Sequence, residues 1–579
     1  MQQSVTKALL LFLILAGLLV GCGSAQMTTP TPLQPTSQPP TATPSATPTL
    51  TPTATPAPLS VEPPQGYFWW NQDVFSEIFV RSFYDSDGDG IGDFNGLTAK
   101  LDYLNDGDQA TTDDLGIKGI WLMPIFPSPS YHGYDVTDYM TVNPQYGTLE
   151  DFQRFLDEAH QRGIRVIIDL PLNHTSSQHP WFQNALTPDA PQRAYYIWSE
   201  SDPGYNGPWG QDPWHEGPQG DYYYGVFWSE MPDLNYNNPA IVEEMDAVVK
   251  FWLDLGVDGF RLDGARYIIE EGEEQADTPS THAYYQHLRE VVKGANPQAL
   301  LLGEVWTDNF AASTYTQGDE LDLVFDFELA KAMVTSALTG KNEKVYNGLK
   351  FNQKLYPQGQ SAPFLTNHDQ DRVMSELQGD MEKAKNAAAM LLSAPGVPFL
   401  YYGEEVGMSG KRGSDNDDIK RRLPMQWTAE EKAGFTSGTP WAKTWPFHGA
   451  SNVEVQTDKP DSLLSFYRDW IHLRNQNPAL LFGQTYVLES SDKAVFAVLR
   501  TVEGQQMIAL VNLSDQPVSD FTLKLASGPL SGAYALEPLY GEGSFADLQA
   551  NSKGGFDDYQ PLPELPANAR YLLELNPVK

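Results

Sequence analysis

Four short runs place acids, arginine and histidine where a reaction could use them. They are Asp169-Leu-Pro-Leu-Asn173-His174, Gly259-Phe-Arg261-Leu-Asp263-Gly-Ala-Arg266-Tyr267, Gly303-Glu304-Val-Trp306 and Thr366-Asn367-His368-Asp369-Gln-Asp371-Arg372. Each follows an apolar stretch of strand length. Two carboxyl groups about 5–5.5 Å apart, one ionised and one protonated, are what cleavage of a glycosidic bond with retention requires. Arg261 precedes Asp263 by two residues, so strand alternation points both to one side. A cation there holds Asp263 ionised. Glu304 is flanked by apolar Val305 and Trp306, an environment that raises a carboxyl pKa and keeps the acid protonated. Taken singly, a carboxylate after a strand can cap the next helix, and an Arg near an Asp can be a structural ion pair. Four such runs in order converge only if one architecture gathers strand ends.

The elements that would do so are legible as short β-branched runs alternating with amphipathic stretches. Strands are expected at Val74–Val80, Gly119–Met123, Val166–Leu170, Gly259–Leu262, Leu300–Gly303, Leu323–Phe325, Pro363–Thr366 and Val397–Tyr401. Helical periodicity lies between most of them, as in Leu149–Gln161, Ile241–Leu255, His282–Val292 and Met381–Leu392. This is the pattern of an α/β (β/α)8 TIM barrel, whose functional residues sit at the C-terminal ends of the strands. A stretch from about 174 to 238, after the third strand, is rich in Trp, Tyr, Gly and Pro and lacks helical period. So long a connection implies an inserted subdomain. The barrel with its insertion is assigned to residues 65–480. Residues 481–579 turn to all-β patterning and are assigned to a C-terminal antiparallel β-sandwich.

The chain of 579 residues is 41% apolar and 12% aromatic, with 14 Trp and 28 Tyr. Such a supply of flat rings suits a binder of sugar faces. A formal net charge of −38 disfavours nucleic acid and anionic membrane surfaces as partners. The single cysteine, Cys22, excludes an intrachain disulfide. It follows Lys7, an apolar run from Ala8 to Val20, and Gly21, which together read as a bacterial secretory signal over residues 1–21. Leu19-Val20-Gly21-Cys22 resembles a lipobox, implying cleavage before an acylated Cys22 and anchoring to the cell envelope. Residues 22–64 are a Thr/Pro/Ala/Ser linker; at ~3.1 Å per residue it would reach on the order of 100 Å. Membrane contact is expected through that anchor alone, and the protein is expected to act as a monomer.

One further motif speaks to a metal. Asp85-Ser-Asp87-Gly-Asp89-Gly-Ile91-Gly-Asp93 offers ligands at alternate positions around tight glycine turns, a pattern that suits Ca²⁺. It is not an EF-hand, because Gly96 stands where loop position 12 needs Glu.

These motifs, in this order, resemble those of the α-amylase family of glycoside hydrolases, family 13. The likeness runs from about Gly66 to Lys579. A fifth run, Met231-Pro-Asp-Leu-Asn235, falls where that family has a short motif before the fourth strand. Its wording is most like that of bacterial members intermediate between oligo-1,6-glucosidases and neopullulanases, several of which are α-amylases. The resemblance implies Asp263 as nucleophile, Glu304 as acid/base and Asp369 as a third carboxylate that binds sugar hydroxyls. It implies that Asp169, His174, Arg261 and His368 line the sugar-cleaving subsite, and that Tyr134, in His132-Gly-Tyr134-Asp135, stacks under the same sugar. Arg372 is counted with the substrate-binding residues. Relatives hold Ca²⁺ or Mg²⁺ in loops like Asp85–Asp93. A second Ca²⁺, between barrel and insertion, would use Asn173 and Asp233, although Tyr267 stands where many such proteins carry His. Gly264 follows the expected nucleophile, where relatives specialised for α-1,6 bonds tend to have Val. The expected substrate is therefore an α-1,4-linked, starch-like glucan, cleaved internally with retention. An exo-acting α-glucosidase or oligo-1,6-glucosidase, a glucan transferase and a non-catalytic glucan binder are the alternatives; binders of this lineage usually lack one of the three carboxylates, and all three are here.

Overall fold

A computed structural model describes residues 63–413 and 418–578. The signal, Cys22 and nearly all of the linker lie outside the described residues.

Eight parallel strands form the central sheet: β1 (Phe75–Ile78), β2 (Gly119–Leu122), β3 (Arg165–Leu170), β4 (Gly259–Leu262), β5 (Leu300–Gly303), β6 (Leu323–Phe325), β7 (Ser361–Ala362) and β8 (Phe399–Tyr401). Neighbours in sequence are neighbours in space, and β1 pairs with β8. The barrel closes between β7 and β8 by a parallel bridge from Phe364 to Phe399. There Val397 and Phe399 donate N–H to the carbonyls of Ser361 and Pro363, at 3.0 and 2.9 Å. The seventh strand is shorter and earlier than expected because Pro363 has no N–H for a ladder.

Alternation explains why these strands read as continuous apolar runs. One set of side chains, including Ile120, Leu122, Val166, Ile168 and Leu301, packs outward under the helices. The other set, including Phe75, Trp121, Ile167, Leu300 and Leu302, fills the barrel interior. Both faces are buried, as parallel sheets require. The covering helices follow from sequence in the same way. In Leu149–Gln161, Thr148 and Asp151 form a capping box, and Phe152, Phe155, Leu156 and Ala159 make the buried stripe. Pro239–Leu255 starts on the Asn238 cap and ends at Gly256, whose φ of 108° a side chain would oppose.

The connection from His174 to Asn238 carries a short helix, Pro180–Ala185, and a three-stranded sheet in the order Trp198–Ser199, Tyr222–Tyr224, Trp214–Glu216. Trp214, Tyr224 and Val226 form its small core with Tyr267 of the barrel. After the helix Pro478–Phe482, a six-stranded antiparallel sheet begins at Gln484 and faces a three-stranded one. Leu499, Ile508 and Leu510 of the first meet Leu523, Leu525 and Phe556 of the second. The opposite face of the first sheet, through Phe496, Val498, Ala509 and Val511, packs into the barrel's outer core. That second burial is why Val495–Val502 is apolar without alternation. Among the described residues no helix is long and apolar enough to cross a membrane.

Candidate active site

Period-2 alternation carries the inward face of each strand from apolar floor to polar mouth. Phe75 is followed by Glu77, Ile167 by Asp169, Gly259 by Arg261 and then Asp263, and Leu302 by Glu304. Register places Asp169 directly beside Arg261. Above this layer opens a cleft of about 600 Å³, lined by Asp263, Glu304, Asp369, His174, Tyr134 and residues of the insertion.

Arg261 is fully buried and organises the carboxylates. Its Nη1 donates to Asp169 Oδ1 at 2.8 Å and to Asp263 Oδ1 at 2.5 Å, while Nη2 lies 2.9 Å from Glu304 Oε2. The guanidinium also sits 5.0 Å from the Trp121 ring, a cation–π contact at the top of the floor. Beside this ion pair, Glu304 Oε2 accepts a hydrogen bond from Gly264 N–H at 3.0 Å. Burial raises the Glu304 pKa to about 7, with Arg261 opposing and the Asp263 and Asp369 charges adding to the rise. With Oε2 facing two donors, the acid proton belongs on Oε1.

The third carboxylate is held differently. Asp369 Oδ1 accepts from Arg422 Nη2 at 2.8 Å, and Oδ2 lies 3.2 Å from His368 Nε2. His368 Nδ1 in turn meets Glu77 Oε1 at 2.5 Å. Burial opposes charging His368, but Asp369 and Glu77 outweigh it and raise the imidazole pKa to about 10. Although burial favours the neutral carboxyl, His368 and Arg422 hold Asp369 far below the usual carboxylate range. Tyr134 OH bridges His368 Nε2, at 2.7 Å, to Asp169 Oδ2, at 3.0 Å, and its ring lies nearly parallel to the His368 ring. His174 is also buried, and there burial lowers the pKa, the opposite direction from His368.

The cleft thus gathers Asp263, Glu304, Asp369, Tyr134 and His174, with Asp169, Arg261 and His368 as the buried layer beneath. Arg372 departs from expectation. It lies at the N-cap of the helix Val373–Glu376, 1% exposed. Its guanidinium stacks over Tyr401 and Tyr402 and donates to the Tyr402 and Arg421 carbonyls. It does not reach the cleft. Arg422 does, from a coil segment that carries no periodic signal. Glu77 had a signal that could have found it: a carboxylate on the inward face of an otherwise apolar strand. Trp209, Phe227 and Met231 of the insertion wall the cleft on one side, and Trp306 on another.

For a cation, Asp85, Asp87 and Asp89 bring carboxylate oxygens within 4.8 Å of one another. Ile91 joins that turn through its N–H, which donates to Asp89 Oδ1 at 2.7 Å. Asp93 stands apart from the cluster, accepting from Ser86 and, as cap of helix Phe94–Thr98, from Gly96 N–H. Three crowded carboxylates fit a hard divalent ion. Asn173 and Asp233 are brought together across the start of the insertion, where Leu234 N–H donates to the Asn173 carbonyl. Asn173 Oδ1 and Asp233 Oδ2 are buried oxygens without a donor of their own, and the Asn173 side chain acts on the Asp233 carboxyl. Buried polar atoms of that kind fit a second cation or a bound water.

Comparison with known proteins agrees with this geometry. The family model "Alpha amylase, catalytic domain" matches residues 77–483. Alpha-amylase 3 of Dictyoglomus thermophilum is 38% identical over 454 residues, covering 77% of this chain and 85% of the relative. Trehalose synthase/amylase TreS of Mycolicibacterium smegmatis is 36% identical over 497 residues, covering 76% and 81%. The crystal structure of alpha-amylase from H. orenii superimposes with a TM-score of 0.75 at 41% identity, over 87% of this chain and 99% of that one. The chain belongs to the α-amylase family of glycoside hydrolases, family 13.

Proposed function

We propose that this protein hydrolyses α-1,4-glucosidic bonds within starch-like glucans, with retention of configuration. The observation that carries the reading is the Arg261 fork, which contacts Asp263 and Glu304 from one guanidinium. Asp263 attacks the anomeric carbon while Glu304 gives the Oε1 proton to the departing glycosidic oxygen. Glu304, now ionised, takes a proton from water, whose oxygen displaces Asp263 and regenerates both groups. Asp369, fixed by Arg422 and His368, holds sugar hydroxyls most tightly as the ring flattens at the transition state. Tyr134 supplies a flat ring beneath the same sugar.

Gly264 supports the α-1,4 assignment, and so do the relatives named as α-amylases. Product analysis on soluble starch, a maltooligosaccharide series and pullulan tests it. Mixed short oligosaccharides from starch are expected early, with the α-anomer formed first. Glucose alone from chain ends, or an initial β-anomer, would contradict it. The trehalose synthase/amylase relative supports a second reading, in which the glycosyl-enzyme passes its glucose to another sugar; the ratio of transfer product to hydrolysed sugar decides.

Two accessory readings belong to the proposal. One Ca²⁺ is held by the Asp85–Asp93 loop, with Asn173 and Asp233 as a second candidate place. The mature chain is lipid-anchored through Cys22 outside the cytoplasm. Cys22→Ser should then leave the membrane fraction, and its retention there would refute the anchor.

A further inference from the structure

β1 carries one charged side chain, Glu77, which alternation turns inward above Phe75. It is 2% exposed and stands in register with Trp121 of the barrel interior. A carboxylate buried there is costly unless a donor meets it, and no step of the reaction consumes it. Its donor is His368. Glu77 Oε1 faces the His368 backbone N–H at 3.4 Å and ring Nδ1 at 2.5 Å. One oxygen between two nitrogens, the first of them a fixed donor, accepts from both, so Nδ1 carries hydrogen.

Nε2 carries one as well. It faces Tyr134 OH at 2.7 Å and Asp369 Oδ2 at 3.2 Å. Asp369 is held ionised by His368 and Arg422 and offers no proton. Tyr134 directs its own proton to Asp169 Oδ2, 3.0 Å away, because the Asp169 oxygens act as acceptors, from Arg261 Nη1 and Trp121 Nε1. His368 is therefore an imidazolium, and the hydrogen bonds from His368 to Glu77, and through Tyr134 to Asp169, each have a fixed direction. Two anions touch the ring; the cations Arg422 and Arg261 stand behind Asp369 and Asp169, and Trp121 meets the ring edge-on at 5.7 Å. His368 is fully buried, so it acts on the cleft through Tyr134 and Asp369, which line it.

We propose that Glu77 is a positioning residue: its carboxylate keeps His368 doubly protonated and so fixes the hydrogen bonds of Tyr134 and Asp369, the groups that hold the sugar undergoing cleavage. This rests on the α-glucan reading of the site. Without the anion, one ring nitrogen gives up its proton. The His368 backbone N–H keeps an oxygen facing Nδ1, so the nitrogen left bare is Nε2, turned toward the Asp369 carboxylate. Tyr134 then donates to His368 instead of Asp169, and Asp369 loses one of its two anchors.

The test compares wild type with Glu77→Gln, which keeps the shape and removes the charge. In ¹⁵N-histidine-labelled protein, the His368 resonance is the one lost in His368→Asn. At about pH 8, above the ordinary histidine pKa of ~6.5, it should show both ring nitrogens protonated in wild type and a neutral ring in Glu77→Gln. At that pH kcat on starch should fall by about tenfold to a hundredfold, the scale on which outer partners of metal ligands matter. KM should change little, because the lost contacts act at the transition state. The deficit should shrink toward about pH 5, where protonation recharges His368; the Glu304 limb is common to both proteins and cancels in the ratio. A neutral His368 in wild type would overturn the proposal. So would a deficit that does not vary with pH, which marks packing alone, or wild-type kcat in a variant whose ring has lost its charge. If Glu77→Gln does not fold, the wild-type resonance still decides the charge, and Tyr134→Phe, which keeps the flat ring and cuts the line, should show the kcat loss; wild-type kcat there overturns the proposal. If wild type cleaves no α-1,4-glucan, the substrate reading fails, and the His368 resonance in the two proteins still decides the role of Glu77.

Discussion

Arg261 Nη1 lies 2.5 Å from Asp263 Oδ1, and Nη2 of the same guanidinium lies 2.9 Å from Glu304 Oε2. One planar fork therefore sets the relative position of the two carboxyl groups on neighbouring strands. An ammonium cannot reproduce this geometry. Arg261→Lys keeps the charge and should lower kcat on starch by on the order of 10²-fold, the scale of a 1 Å misplacement. An unchanged kcat would show that the fork positions neither group.

The proton on Glu304 sets the pH dependence. Its pKa is raised by burial to about 7, so the acid form is present below that pH and lost as pH rises through it. Activity should fall along the same limb. The folded state holds this proton more tightly than an unfolded carboxyl does, so the group's contribution to stability is complete below the unfolded value of 4.5 and declines toward pH 7. Glu304→Gln should flatten stability over that window. A basic limb well above pH 9 would assign the acid elsewhere.

Gly264 has φ of 50°, and a Cβ there would lie 2.8 Å from Phe227 Cζ. Gly264→Ala should strain the turn by about 1–2 kcal/mol and pull the N–H away from Glu304. Lower kcat and a displaced basic limb are expected. Phe227→Leu in the same chain should recover part of both, because contacting sites are non-additive. A Gly264→Ala enzyme with wild-type kinetics would show that the turn absorbs the methyl group.

The loop Asp85–Asp93 should confer cation-dependent stability. A ligand that binds only the folded state at a hundredfold excess over Kd adds about 2.7 kcal/mol. Chelator should lower the melting temperature, and Asp87→Ala should remove most of that response. An equal response in mutant and wild type would place the metal elsewhere, with Asn173 and Asp233 the next to replace.

Much of this was readable in the sequence for one physical reason: strands buried on both faces leave continuous apolar runs that end abruptly. Gly259–Leu262, Leu300–Gly303 and Leu323–Phe325 are found where expected. The acids after them are fixed by alternation, so the sequence alone brings Asp263 and Glu304 to one mouth. The seventh strand slipped because Pro363 withholds a donor. Arg372 misled because a cation after a strand has two ways to turn; here the short helix it caps directs it onto Tyr401 and Tyr402. Arg422 reaches Asp369 from 53 residues further along the chain, which no local pattern encodes. Phe227 and Trp209 sit on a connection without period, and only the tertiary fold brings them to the cleft.

The division of labour between Asp263 and Glu304 is tested most directly with an α-glucosyl fluoride. Fluoride departs without a proton, so the acid becomes dispensable for the first step while the nucleophile does not. Glu304→Gln should be severely impaired on starch and regain its glycosylation step on the fluoride. Asp263→Ala should be inactive on both substrates. Asp369→Asn should be slow on both, since its contacts act at the transition state whatever leaves. Equal impairment of Glu304→Gln on the two substrates, or recovery by Asp263→Ala, would contradict the assignment.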